Sequence, residues 1–288
     1  MTVVVRTLEE LRNALNSEAF SSKKMALVPT MGALHEGHLS LCHIGKMHAE
    51  RVCASLFVNP KQFGPGEDLS SYPRTEADDI AKFHSAGVDL VYAPAPEDVY
   101  PEGYATLIDV GPVARPLDGV SRPAFFGGIA TVVAKLFNRF QPDVAIFGEK
   151  DFQQLMVIRQ LVTDLDLPVE IVGAPIVRED DGLAMSSRNR YLSPPERRIA
   201  GQLNQIMRKV CERIAAGVPV EAGLIQGMQE MDQVGLRPVD YFELRSSRDL
   251  SPIPDRALRR DELAEARLFA AVMLGKTRLI DNMPVVVD

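Results

Sequence analysis

Cysteine is scarce in this chain of 288 residues. Cys42, Cys53 and Cys211 stand far apart with no C-x-x-C pair, which excludes a disulfide framework and a zinc knuckle. Long apolar runs are missing too: no stretch approaches the roughly 18 residues needed to span a bilayer. The opening MTVVVRTLEELRNAL has no basic segment leading into an extended apolar core, so a secretory signal peptide is not expected. Positive charge is in deficit. Against 32 Lys and Arg stand 39 Asp and Glu, a formal net charge of −7, which argues against a broad nucleic-acid-binding surface. What remains is ordinary: 46% hydrophobic and 25% charged residues suit a soluble globular protein. The length allows one large domain or two ordinary ones, and the expected location is the cytoplasm.

Strand-like runs alternate with helical periods. Met25 to Val28 (MALV) reads as a buried strand, and His38 to Glu50 as a helix with Leu39, Cys42 and Gly45 near one face. Val52 to Val58 is a second strand, stopped by Asn59-Pro60. Thr75 to His84 is a helix with Thr75 as N-cap, ended by Gly87, and Val88 to Tyr92 is a third strand. Val144 to Phe147 and Val169 to Val172 bracket a helix over Asp151 to Asp164, in which Phe152, Leu155, Ile158, Leu161 and Val162 recur at helical spacing. This alternation predicts an α/β domain with a mainly parallel sheet. Beyond about residue 180 the pattern changes. Ser193-Pro194-Pro195-Glu196 opens a helix carrying Ile199, Leu203, Ile206, Val210 and Ile214. A second helix is expected over Glu221 to Met231, with strands at Tyr241 to Leu244 and Leu268 to Met273. The predicted division is residues 1–178 and a smaller α+β domain, residues 179–288, acting as a lid.

Ligands in open α/β sheets bind beyond the carboxyl ends of the strands. Three unusual segments fall there: TMGALHEGH after MALV, NPKQFGPGEDL after VCASLFV, and GEKDFQQL after VAIF. A fourth, DGLAMSSRNRYLS, begins the second part. The chain has five histidines, and the first segment holds two of them, His35 and His38. They do not form the H-E-x-x-H metalloprotease pattern, and too few ligands surround them for zinc. Solvated loop histidines are one alternative. Phosphate contacts are the other, because Gly32 and Gly37 permit close backbone approach and a nearby helix N-terminus supplies N–H groups. Lys150 either reaches a polyphosphate or pairs with Asp151. Ser186, Ser187 and Arg188 suit phosphate or a capped turn. Gln62 and Gln154 can hold hydroxyl or carboxylate groups, whereas Gln153 is expected to face solvent. Asp78 and Asp79 either neighbour a magnesium–phosphate group or favour their helix N-terminus.

In this order the segments are specific. PTMGALHEGH, SLFVNPKQFGPGEDLSSYPRT, ATVVAKLFN, QPDVAIFGEKDFQQLMVIRQLV, REDDGLAMSSRNRYLS and RLIDN together resemble the pantothenate synthetases (pantoate–β-alanine ligases) over nearly the whole chain. His35-Glu36-Gly37-His38 is the H-x-G-H motif of the nucleotidyltransferase superfamily. The resemblance implies a Rossmann-like nucleotidyltransferase domain with a smaller C-terminal α+β domain. It implies that the carboxylate of (R)-pantoate attacks the α-phosphate of ATP, giving pantoyl adenylate and pyrophosphate. β-Alanine then displaces AMP to give pantothenate. Both nucleophiles belong to the substrates, so positioning and charge stabilisation would carry catalysis.

Residue roles follow from the same resemblance. Met31, Gly32, Ala33, Leu34, His35, Glu36, Gly37 and His38 would line the nucleotide site, as would Gly148, Glu149, Lys150, Asp151 and Val177, and Met185, Ser186, Ser187 and Arg188. His38, His35, Lys150, Ser186, Ser187 and Arg188 would act on the phosphates during catalysis, with charge stabilisation favoured over proton donation for His38. Gln62 and Gln154 would bind pantoate, Gln62 also β-alanine, and Met31 with Phe57 would wall the geminal methyls. Asn59, Asp78 and Asp79 are weaker assignments. Mg2+ is expected mainly on ATP oxygens rather than in a protein metal site, and a homodimer is expected. One departure stands out: Phe125 in RPAFFGG occupies the place of a histidine common in the family, which leaves Phe125 outside the expected site and the part of Arg122 open. The alternatives are another H-x-G-H nucleotidyltransferase acting on a different acid or a mononucleotide, or a nucleotide sensor.

Overall fold

The structure is a computed structural model describing residues 2–285. The chain divides between Pro175 and Ile176 into two compact units, each with its own hydrophobic core. The first is built on six strands: β1 (Val3–Val5), β2 (Met25–Thr30), β3 (Arg51–Leu56), β4 (Leu90–Tyr92), β5 (Val144–Gly148) and β6 (Glu170–Ala174). Every neighbouring pair is parallel, in the order β1-β4-β3-β2-β5-β6. A parallel sheet is covered on both faces, which explains why its central strands read as continuous apolar runs. The first-unit helices are α1 (Leu8–Leu15), α2 (Glu36–His48), α3 (Glu76–Ser85), the short α4 (Pro96–Val99) and α5 (Asp118–Ser121), α6 (Phe125–Phe140) and α7 (Phe152–Asp164).

Core packing follows from small residues at the right places. Leu41 and Cys42 of α2 join Ala26, Val28, Val52, Ala54, Val144 and Ile146 in one buried cluster. Gly45 brings α2 close to the sheet, since a Cβ there would lie 3.3 Å from that of Ala26. The expected face of α2 is therefore rotated slightly: Leu41, Cys42 and Gly45 are buried, and Leu39 only partly.

The strand order fixes where a ligand can bind. From β2 the chain steps to β3 and then β4 on one side, and β5 returns to the opposite flank of β2. The topological switch point therefore lies between the carboxyl ends of β2 and β5, the position at which open α/β sheets leave a crevice. Thr30 and Gly148 end those two strands.

The second unit is an antiparallel sheet in the order β7 (Val239–Ser246), β8 (Ala266–Leu274) and β9 (Thr277–Pro284). Its helices are α8 (Pro194–Ala200), α9 (Gln202–Ala215), α10 (Val220–Val234) and α11 (Arg260–Glu265). The single helix expected from Ser193 to Ile214 is in fact two. They break at Gly201, where a Cβ would come within 2.3 Å of the Asp181 carboxylate. That carboxylate is held by the Arg197 guanidinium. Among the described residues no helix is long and apolar enough to cross a membrane.

Candidate active site

The loop after β2 takes its shape from a buried carboxylate. Gly32 (φ +87°) and Ala33 (φ +51°) are both left-handed, a conformation that costs an L-residue roughly 1–2 kcal/mol. The turn aims the Ala33 and Leu34 amides at Asp79, whose two oxygens accept from them at 2.9 and 2.8 Å. Asp79 is buried at 1% exposure and also accepts from the Thr75 hydroxyl at 3.0 Å. Thr75 holds the N-cap position of α3, as expected, but uses its hydroxyl on Asp79 instead of on a helix amide. Of the two sequence readings for the Asp78–Asp79 pair, the structure gives Asp79 a third role, that of a loop anchor, while Asp78 is exposed.

His35 and His38 sit where α2 begins, two residues earlier than the sequence suggests. His35 is the N-cap, and its Nδ1 accepts from the Gly37 amide at 3.2 Å. The Nδ1 of His38 accepts from the His35 amide at 3.3 Å. The two rings lie 4.1 Å apart at 46°. An amide can only donate, so both Nδ1 atoms are unprotonated and each neutral imidazole keeps its proton on Nε2. Burial holds the His38 pKa at about 4, aided by the positive charges of Lys150 and Lys82. Lys82, which sequence reasoning missed, donates to the Leu34 carbonyl at 2.7 Å. Its spacing of three from Asp79 on α3 was the available signal, since such residues share a helix face.

Lys150 lies in a 3₁₀ turn, Glu149–Asp151, directly after β5. Its ammonium is 3.8 Å from the Asp151 carboxylate, which is half in water. Such a pair is worth little; following β5 directly, Lys150 stands at the same carboxyl end of the parallel sheet as the imidazoles that follow β2.

Gln62 is buried, at 9% exposure. Its Oε1 accepts from Asn59 Nδ2 at 3.0 Å, and among the described residues its Nε2 donates only to the Met31 thioether, 3.0 Å away. A thioether is a weak acceptor, so the amide retains donor capacity toward a ligand. Phe57 is buried against Tyr100. Gln154 is half-buried and makes no side-chain hydrogen bond among the described residues. Gln153 corrects the expectation of a solvent-facing side chain. It is 5% exposed, accepts from the Asp118 amide, and donates to the carbonyls of Val113 and Pro116. Helix α7 is covered there by the 113–118 loop, so a polar side chain is needed to satisfy loop backbone groups.

The second unit holds the remaining candidates. Arg178 forms a two-pronged ion pair with the buried Asp281 at 2.7 and 2.9 Å, which explains the RLIDN segment. Residues 178–184 form a tight turn, with Arg178 bridged to Ala184. The Met185 amide donates to the Val177 carbonyl at 3.0 Å. Ser186 caps the following 3₁₀ turn, Ser187–Tyr191, by accepting from the Arg188 amide. Ser187 is buried, and Met185 and Arg188 are half-buried.

An open parallel sheet with a paired-imidazole loop at its switch point defines a nucleotidyltransferase-type α/β protein. Residues 3–284 match the model of the pantoate-beta-alanine ligase family. Among curated relatives, the pantothenate synthetase of Caulobacter vibrioides is 49% identical over 98% of both chains. The crystal structure of pantothenate synthetase from Thermus thermophilus superposes with a TM-score of 0.91, at 45% identity over 99% of both chains. Pantoate-beta-alanine ligase from Francisella tularensis, solved in complex with beta-gamma ATP and beta-alanine, gives a TM-score of 0.82 at 32% identity over 99% of this chain and 98% of that one. The chain belongs to the pantoate-beta-alanine ligase family and is an acid–amino-acid ligase.

Proposed function

We propose that this chain joins (R)-pantoate to β-alanine in two steps at the β2–β5 switch point, with ATP as the energy source. The ATP and β-alanine held by the Francisella relative support both as substrates here. The observation that carries the reading is the imidazole pair. Two neutral rings with Nε2–H donors stand at the N-terminus of α2, with Lys82 and Lys150 close by. Neutral donors and fixed cations suit an α-phosphate that gains charge as it is attacked, because they are oriented before the reaction and reorganise little.

Roles follow from chemistry. The pantoate carboxylate attacks the α-phosphate and pyrophosphate leaves. His35 and His38 donate hydrogen bonds to phosphate oxygens, and Lys150 supplies a point charge. The low pKa of His38 supports charge stabilisation over proton donation, since little imidazolium is available at neutral pH. Ser186, Ser187 and Arg188 are further phosphate contacts. Gly148, Glu149, Asp151, Val177 and Met185 shape the nucleoside site. Gln62 and Gln154 hold the pantoate oxygens, with Met31 and Phe57 against its methyls, and Gln62 also receives β-alanine. Magnesium arrives on the ATP oxygens: both oxygens of Asp79 already serve loop amides, so that side chain is a poor metal ligand. A cytoplasmic homodimer with a C-terminal lid from about residue 179 completes the reading.

Isotope exchange between pyrophosphate and ATP tests it. Exchange should require pantoate, and AMP should appear only after β-alanine is added. Exchange driven instead by a mononucleotide, or none at all, overturns the proposal.

A further inference from the structure

The segment carrying Gln62 is gripped from behind by the start of α6, and the grip runs through Gly128 and Arg122, to which no role has been given. Asn59 Nδ2 donates to the Gly128 carbonyl at 3.1 Å and to Gln62 Oε1 at 3.0 Å, so one amide group ties the helix to the glutamine. The Oδ1 of Asn59 accepts from Tyr100 Oη at 2.8 Å and from the Lys61 amide at 3.2 Å, which fixes the orientation of the Asn59 amide. Gly128 permits the approach. A Cβ there would lie 2.2 Å from the Lys61 carbonyl oxygen and 2.9 Å from the Gln62 nitrogen. Both are backbone atoms, so an added methyl cannot be absorbed by a rotamer change. Arg122, just before α6, closes the other side. Its Nη2 donates to the Gln62 carbonyl at 3.2 Å. Its Nε and Nη2 form a two-pronged pair with Glu67, 2.7 Å for each contact. The guanidinium carbon lies 3.5 Å from the Phe125 ring centroid, in face contact.

From this geometry we infer that Gly128 and Arg122, with Phe125 beneath the guanidinium, are positioning residues that set pantoate affinity by fixing the Gln62 amide. The inference rests on the reading of Gln62 as a pantoate-binding residue. Phe125 thereby acquires a role that needs no hydrogen bond: it is the flat surface against which Arg122 is held while serving the Gln62 carbonyl. A bidentate pair combined with a stacked face restricts a guanidinium far more than either contact alone. Among the described residues the Gln62 Nε2 meets a thioether alone, a weak acceptor that does little to fix it. Its backbone and its Oε1 must therefore be fixed from elsewhere, and both lead to α6 or its approach.

The test uses the full-length enzyme and steady-state KM values for pantoate and ATP measured separately. The variants are Gly128→Ala and Arg122→Gln, each alone and combined with Gln62→Ala. Each single variant should raise the pantoate KM about tenfold, with kcat and the ATP KM changed less than twofold. In the Gln62→Ala background the same changes should move the pantoate KM less than twofold, because the residue through which they act has gone. Should Gly128→Ala fail to fold, Arg122→Gln and Phe125→Leu decide the matter, since neither inserts an atom between backbones. Equal effects with and without Gln62, or parallel rises in both KM values, overturn the inference as a general structural effect. An unchanged pantoate KM in Gln62→Ala alone overturns the pantoate reading of Gln62 and the inference with it, and that result is separable from the others.

Discussion

A desolvated, half-buried imidazole behaves differently from a solvated one, and His38 gives that difference measurable consequences. Its pKa near 4 lies well below the ordinary 6.5. As pH falls, the unfolded chain takes up this proton first. Stability arising from neutral His38 is therefore complete above about pH 6.5 and is lost as pH drops toward 4. His38→Gln should flatten that acid limb in denaturation curves recorded between pH 7 and 4. NMR titration of the free enzyme should find the ring neutral at pH 6; a midpoint near 6.5 would contradict the burial argument. His38→Ala should slow adenylate formation by roughly 10²–10³-fold in single-turnover measurements, the usual loss of a donor to developing charge. The two histidines are visible in the sequence as a motif. That both present Nε2–H is not, because it depends on which backbone amide meets each Nδ1.

Elements were legible where the pattern was local. The parallel strands β2, β3 and β5 and the helices α2, α3 and α7 follow from apolar runs and caps, with ends displaced by a residue or two. Strand β1 did not stand out, being three residues whose neighbour β4 is almost ninety positions away. Helix α6 keeps its charged residues, Lys135 and Arg139, and its exposed Asn138 near its C-terminal end, so Phe125 to Ala134 reads as one apolar run rather than as a helical period. The break at Gly201 and the burial of Gln153 both depend on distant partners, Asp181 and the 113–118 loop. Among the candidate site residues, the histidine loop, GEKD and MSSR stand out in the sequence as unusual segments, whereas the Asp79 anchor and the Arg122–Glu67 pair depend on contacts between distant positions. The coupling of α3 to the histidine loop can be tested at this scale. Asp79→Ala strips two amides of their acceptor, each worth about 1–3 kcal/mol when left unpaired in the interior. Urea denaturation should register a loss of at least about 2 kcal/mol, and Asp79→Asn, which keeps one acceptor, a smaller one. Equal stability of wild type and Asp79→Ala would remove the anchor role.

At the scale of the molecule, membership in the ligase family extends from residue 3 to residue 284, so both units are part of what the family retains. The second unit has an internal tie of its own. Asp281, at 3% exposure, holds the Arg178 guanidinium that starts the turn before MSSR. Asp281→Ala should destabilise the protein by about 3 kcal/mol, the lower end for breaking a buried pair because Arg178 retains some contact with water. Differential scanning calorimetry would register this, and a change below about 0.5 kcal/mol would reassign Asp281 to the surface class. The first unit has a different asset. Because the glycine–alanine turn is already filled by a carboxylate from the chain itself, that loop behaves as a preassembled mould. On the proposed reading, in which the triphosphate docks there, it meets a formed loop and supplies no ordering entropy, so calorimetry of ATP binding should give a heat-capacity change accounted for by contact surface alone, without the signature of a segment folding around its ligand.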